Sequence, residues 1–142
     1  MNVPLASHFK ISSSLCPTSV EEKDHMSRVP YTNTIGCLIY AMVCIRLAIS
    51  HAVGVVSKYM VNPGEEHWNA AKWVLRYLRG TSDYCITFNN KSDSICGFVD
   101  SYFARDLDKR RSTSSYVFTL AGGVISWMSK LQEIVALSTT EA

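Results

Sequence analysis

The sequence predicts an α+β fold, with helices first and antiparallel strands after them. Three observations carry this prediction. Apolar residues recur at helical spacing through residues 31–82. Short runs of strand type fill residues 95–137. Two of those runs flank Ala121-Gly122-Gly123, a hairpin signal because glycine tolerates the positive φ that tight turns demand.

Residues 1–30 read as an irregular lead segment. They hold Ser12-Ser13-Ser14, Pro4, Pro17 and Pro30, and the charged run Glu21-Glu22-Lys23-Asp24. Residues 35–56 are long and apolar enough to suggest a membrane span, but Arg46, Ser50 and His51 fall near the middle, where a cation is costly. A pair of buried helices is the better assignment. Ile35, Leu38, Ile39, Met42 and Val43 share one face, and Ile49, Ala52, Val53, Val56 and Met60 share another. Asn62-Pro63-Gly64 ends the second helix.

The next helix spans residues 65–79 and presents three arcs at about 100° per residue. Trp68, Ala71, Val74, Leu75 and Leu78 form the apolar arc, Lys72, Arg76 and Arg79 a cationic one, and Trp73 and Tyr77 an aromatic one. Three aligned cations can track a phosphate backbone. They also suit a solvated face whose late arginines complement the helix dipole.

Residues 95–99 form a short apolar strand ending on Asp100, and a carboxylate at a strand's C-terminal end is a candidate site residue. Lys109-Arg110-Arg111 follows as a second basic cluster, which as a plain loop charge run needs no function. Residues 116–120 and 124–128 make the hairpin, and residues 134–137 one more strand. Ser138-Thr139-Thr140-Glu141 then supplies hydroxyls suited to an N-cap and an acid suited to a first helical turn.

Composition excludes several classes. A net charge of +2 is too small to announce nucleic-acid binding by itself. The five cysteines are odd in number and lack any Cys-x-x-Cys spacing, against a zinc ribbon or a secreted disulfide framework. They read as small buried hydrophobes in a reducing compartment. The N-terminus lacks the basic start and apolar block of a signal peptide, so an intracellular place in cytoplasm or nucleus is expected, with no membrane association. His8, His25, His51 and His67 have no paired metal-ligand spacing, and no glycine-rich phosphate loop or nucleophile elbow occurs.

The string from Gly97-Phe98-Val99-Asp100 to Asp106, with Arg110-Arg111-Ser112-Thr113-Ser114-Ser115-Tyr116-Val117-Phe118, resembles the start of the ribonuclease H domain in Pol polyproteins of copia-type retrotransposons, most closely plant elements of the tobacco type. Gly122-Gly123-Val124-Ile125-Ser126-Trp127 and Val135-Ala136-Leu137-Ser138-Thr139-Thr140-Glu141-Ala142 carry the same likeness. Upstream, Asn62-Pro63-Gly64, His67-Trp68 and Lys72-Trp73-Val74-Leu75-Arg76-Tyr77-Leu78-Arg79-Gly80 are similar to the segment between reverse transcriptase core and ribonuclease H. The resemblance covers essentially the whole chain. It implies a helical, thumb-like connection over residues 31–82 and an incomplete, truncated ribonuclease H-like sheet over residues 83–142.

Ribonuclease H chemistry of this kind uses clustered carboxylates to hold two divalent ions, Mg²⁺ in the parent family, against an RNA–DNA hybrid. By resemblance Asp100 matches the first metal-binding Asp. The second ligand is the acid that would follow Ala142, or Glu141 if the register slips, and the rest lie farther on. Lys72, Arg76, Arg79, Lys109, Arg110 and Arg111 are the candidate nucleic-acid contacts. The chain as it stands is expected to be a catalytically inactive fragment binding no metal productively, prone to self-association through exposed strands. The alternative is a non-enzymatic nucleic-acid-binding or interaction module.

Two departures from the family pattern stand out. Arg46-Leu47-Ala48 replaces an Arg-Pro-Asp, losing a helix breaker and a cap, so the two flanking helices are expected to fuse. Tyr102 replaces an acid near Asp100, and Arg105 replaces a loop glycine.

Overall fold

A computed structural model describes residues 3–44, 46–88 and 94–141, and the chain divides into two compact units, Met1–Ser82 and Asp83–Ala142. The first is helical: α1 (Val20–Ser27), α2 (Tyr31–Cys44), α3 (Ser50–Ser57) and α4 (Glu65–Gly80). The second contains β1 (Ile95–Tyr102), β2 (Thr113–Leu120) and β3 (Gly123–Leu131), an antiparallel meander in the order β1-β2-β3. The α+β class is therefore as expected.

The helical unit closes around Tyr31, Ile35 and Leu38 of α2, Ile49, Ala52, Val53 and Val56 at α3, and Ala70, Ala71 and Val74 of α4. The α3 stripe matches its expectation, whereas Val43 of α2 is exposed. The Tyr31 hydroxyl donates to the Val56 carbonyl at 2.7 Å, tying α2 to the end of α3, and burial pushes this phenol well above its ordinary range. No helix among the described residues is long and apolar enough to cross a membrane.

Residues 3–30 hold more regular structure than expected. The charged run lies in α1, because Ser19 and Glu22 form a reciprocal capping box and Arg28 pairs with Asp24 at 2.7 Å. Ile11 enters the core, and Trp73 Nε1–H donates to the Val3 carbonyl at 3.2 Å. His67 is fully buried at the third position of α4. Its Nδ1 accepts the Gly64 N–H at 2.8 Å, which leaves Nε2–H to donate to the Ser12 carbonyl at 3.2 Å. Gly64 admits no side chain, since an added Cβ would collide with the Leu15 carbonyl.

The two central helices do not fuse. Arg46 leaves helical geometry at φ −129° and ψ 68°, and its N–H reaches back to the Ala41 carbonyl, one residue beyond the α-helical partner. A 3₁₀ turn over Leu47–Ile49 then swings Ile49 into the core, fully buried. Burial of that side chain breaks the helix where proline is absent.

In the sheet, β1 runs past Asp100 to Tyr102, longer than expected. The hairpin loop is two residues, Ala121 and Gly122, with φ of 50° and 76°, the positive pair that a type I′ turn requires. Gly123 belongs to β3, where the Phe88 ring occupies the space a Cβ would take. Thr119 pairs with Val124 and Phe118 with Ser126, so Ile125 is a bulge on β3.

The strand expected at 134–137 does not form. Ile134 and Leu137 are exposed, and the Leu137 N–H is taken by the Glu141 carboxylate at 2.8 Å rather than by a neighbouring strand. The cysteines depart from expectation in their burial: Cys37, Cys44, Cys85 and Cys96 are exposed and Cys16 is half-buried. Cys37 and Cys44 stand on the outward face of α2, away from the stripe that fills the core.

Candidate functional site

Asp100 lies on β1 opposite Ser115 of β2, which in turn lies opposite Ser129 of β3. Directly paired residues share a face, so a polar row crosses the sheet at this level. Alternation along β1 puts Phe98 and Tyr102 on the same face as Asp100, one on each side of it. The whole strand is exposed. The Ser115 hydroxyl donates to the Asp100 main-chain carbonyl at 3.3 Å, which leaves the carboxylate facing solvent without a hydrogen bond or ion pair among the described residues.

Beyond Tyr102 the chain turns back on itself. Ala104 adopts φ 47°, and its N–H donates to the fully buried Ser112 hydroxyl at 3.2 Å. Asp106 is buried as well; it accepts the Arg110 N–H on its carbonyl at 2.8 Å and the Asp108 N–H on its carboxylate at 3.3 Å. Lys109, Arg110 and Arg111 ride on this turn, Arg110 at φ 55°. The first two are exposed and Arg111 half-exposed. Arg105 folds over Tyr102, its guanidinium carbon 4.6 Å from the ring centroid.

The segment after β3 returns to the same end of the sheet. A cleft of about 290 Å³ is lined by Ser101, Tyr102, Phe103 and Thr139, so the turn at Ser138–Glu141 stands against the end of β1. Within that turn the Glu141 N–H reaches the Ser138 carbonyl at 3.3 Å, while its carboxylate folds back on Leu137. Glu141 thus closes its own turn through the Leu137 N–H. Among the described residues no three His, Cys, Asp or Glu side chains are grouped closely enough to hold a metal ion. One free carboxylate with hydroxyl neighbours does not fit the two-ion, carboxylate-rich centre that the resemblance implies.

On α4 the cationic arc is real, and Arg76 and Arg79 are exposed. Lys72 is half-buried, its Nζ 5.8 Å from the Trp68 ring centroid. No ion pair to any of the three is found among the described residues. The apolar arc is rotated from its expected position: His67 and Ala70 are in the core, Trp68 and Leu78 are half-buried, and Leu75 is exposed. Sequence reasoning set His67 aside for want of a metal partner. The signal that would have found its role is its position three residues after Gly64, the capping-box spacing.

Over all 142 residues the chain is 55% identical to the retrovirus-related Pol polyprotein from transposon TNT 1-94 of Nicotiana tabacum. It is also 41% identical over 113 residues to the Pol polyprotein from transposon RE2 of Arabidopsis thaliana. The chain belongs to the Pol polyproteins of copia-type retrotransposons. It spans only 11% and 8% of the lengths of those two polyproteins, so it corresponds to one segment of them. A third relative is short: the secreted RxLR effector protein 161 of Plasmopara viticola is 44% identical over 117 residues, which make up 82% of this chain and 82% of that protein. No family model matches the chain, and no solved structure does. Within this Pol segment the Asp100 strand, the basic turn and the Ser138–Glu141 turn meet at one end of the sheet unit, while the α4 cations belong to the helical unit.

Proposed function

We propose that the chain is the part of a retrotransposon Pol polyprotein that joins the reverse transcriptase to the start of its ribonuclease H domain. In this reading the helical unit is the connection, and β1, β2 and β3 are the opening strands of the ribonuclease H-like sheet. The observation that carries it is Asp100 on the open face of an antiparallel meander, in a chain 55% identical throughout to a Pol polyprotein. Asp100 is then one ligand of a centre completed by acids elsewhere in the polyprotein. Without them the isolated segment does not cleave RNA, because two divalent ions need several carboxylates to hold them and to activate water between them.

The test has two arms. The purified chain, given an RNA–DNA hybrid with Mg²⁺ or Mn²⁺, is expected to cleave no more than its Asp100→Asn variant. A chimera in which the downstream segment of the tobacco polyprotein follows Ala142 is expected to cleave, and Asp100→Asn to abolish that cleavage. A chimera whose activity ignores Asp100→Asn would refute the assignment.

A second reading is favoured by one observation, that this segment makes up most of the short effector relative. Here the chain is a non-enzymatic binding module. Electrophoretic binding to hybrid and to duplex across a salt series tests it: a phosphate-binding module has a steep log-affinity slope, whereas a segment with no independent role has no measurable affinity.

A further inference from the structure

The two departures at Tyr102 and Arg105 are in contact. An acid beside Asp100 would serve a cation, but an exposed tyrosine capped by a guanidinium serves a different ligand. Tyr102 is 57% exposed and Phe103 37% exposed, so two aromatic rings open onto the cleft at the end of β1. The other lining residues, Ser101 and Thr139, carry hydroxyls that both donate and accept. Arg105 is held over Tyr102 by the left-handed turn at Ala104, which the buried Ser112 hydroxyl anchors. A left-handed alanine costs about 1–2 kcal/mol, so the surrounding contacts sustain this conformation rather than local preference.

We propose that this cleft is a nucleobase pocket for single-stranded nucleic acid. Tyr102 and Phe103 stack on the base, Ser101 and Thr139 meet its edge, and Arg105 contacts the adjoining phosphate. A base within a duplex has both faces covered by its neighbours and its pairing edge taken, so only an unstacked base can enter. Asp100 lies on the same face two residues before Tyr102 and repels phosphate. The backbone therefore runs on the Arg105 side, toward Lys109 and Arg110. The site needs no metal. This inference rests on the reading that the sheet unit works on nucleic acid, but it does not depend on whether cleavage occurs.

The experiment is fluorescence anisotropy of a labelled oligothymidylate in EDTA across a salt series, with the 142-residue chain. All variants carry Lys72, Arg76 and Arg79 replaced by Gln, so that α4 does not contribute. Tyr102→Ala is expected to weaken binding about ten-fold or more, as losing one stacked base predicts, whereas Tyr102→Phe retains affinity. Arg105→Gln should flatten the salt slope by about 0.7, one single-strand phosphate contact. Unlabelled duplex of the same composition should displace the probe poorly. Unchanged affinity in Tyr102→Ala, with the sheet intact by amide exchange, overturns the proposal. So does equal displacement by duplex, which would mark a phosphate track without a base pocket, and so does binding that requires Mg²⁺. Failure of the cleavage test with intact anisotropy results would remove the ribonuclease H assignment and leave this pocket standing.

Discussion

Replacing His67 by Phe separates what its ring does by packing from what its nitrogens do by bonding. The ring is fully buried, stacks on Tyr59 at a centroid distance of 4.2 Å, and bridges two backbone groups, the Gly64 N–H and the Ser12 carbonyl. Phenylalanine keeps the volume and the stacking but strands the buried Gly64 N–H and the half-buried Ser12 carbonyl. A fully buried stranded group costs about 1–3 kcal/mol and the half-buried carbonyl about 1 kcal/mol, so the substitution should destabilise the helical unit by about 2–4 kcal/mol. Alanine adds a cavity on top of that loss and should cost more, about 4 kcal/mol or above. Urea unfolding followed by circular dichroism at the helical band reads both, and the slope of the transition should be unchanged in the Phe variant. Proteolysis should also open the turn near Ser12 in both variants, since His67 is one of the contacts that fix it to α4. A Phe variant within about 0.5 kcal/mol of the native chain would show that water or backbone rearrangement satisfies these groups, and the bridging role would fall.

Replacing Lys72, Arg76 and Arg79 together by Gln should weaken binding to every nucleic-acid sequence alike and flatten the salt slope by about two to three units; an unchanged slope with helix content intact leaves the arc an ordinary solvated face. Ala121→Asn should relieve the left-handed strain in the hairpin loop, and slower amide exchange in β2 and β3, equivalent to about 0.5–1 kcal/mol, is the readout. Tyr31 holds its proton more tightly folded than unfolded, so stability should be full below the ordinary phenol value of 10.0 and fall as pH rises above it. Tyr31→Phe should remove that alkaline decline in urea midpoints. The β1 edge should mediate self-association, because it lacks the devices that guard β3, the bulge at Ile125 and Lys130. Sedimentation of Val99→Lys should then show less oligomer than the native chain, and equal oligomer in both would place the contact elsewhere.

The parts of the fold that followed from local chemistry were legible in the sequence. Ala121-Gly122 demanded a hairpin, which forms, whereas α3 ends at Ser57, short of the stop expected at Asn62-Pro63-Gly64. Ser19 and Glu22 also have the spacing of a capping box, although the prolines around them suggest an irregular segment. What could not be read locally was decided by burial. Ile49 enters the core only if the chain turns at Arg46, a tertiary demand that overrides the missing proline. At residues 134–137 the apolar run looked like a strand, but a strand needs a ladder, and Glu141 satisfies the Leu137 N–H locally. The α4 stripe is rotated from its expected arc because His67, without a metal partner in the sequence, is a core residue whose two nitrogens are both matched.

The candidate site shows the same division. Asp100 and the basic turn were found from residue type and order, yet neither predicts what chemistry the end of β1 supports. That depends on neighbours brought together by the loop: Asp106 and Ser112 are buried to hold the turn, and the turn sets Arg105 on Tyr102. A carboxylate at position 102 would lie on Asp100's face of the sheet, two residues along the strand, near enough to share a cation. The aromatic ring at that position removes the second charge and adds a stacking surface. In the proposed reading the change alters the kind of ligand the sheet end takes, from a divalent ion to an unstacked base beside a phosphate. Reversing it makes the argument testable in one molecule. Tyr102→Asp in the chimera carrying downstream acids should raise metal-dependent cleavage while lowering metal-free affinity for single strands, and a variant that moves both in the same direction would contradict this division of roles.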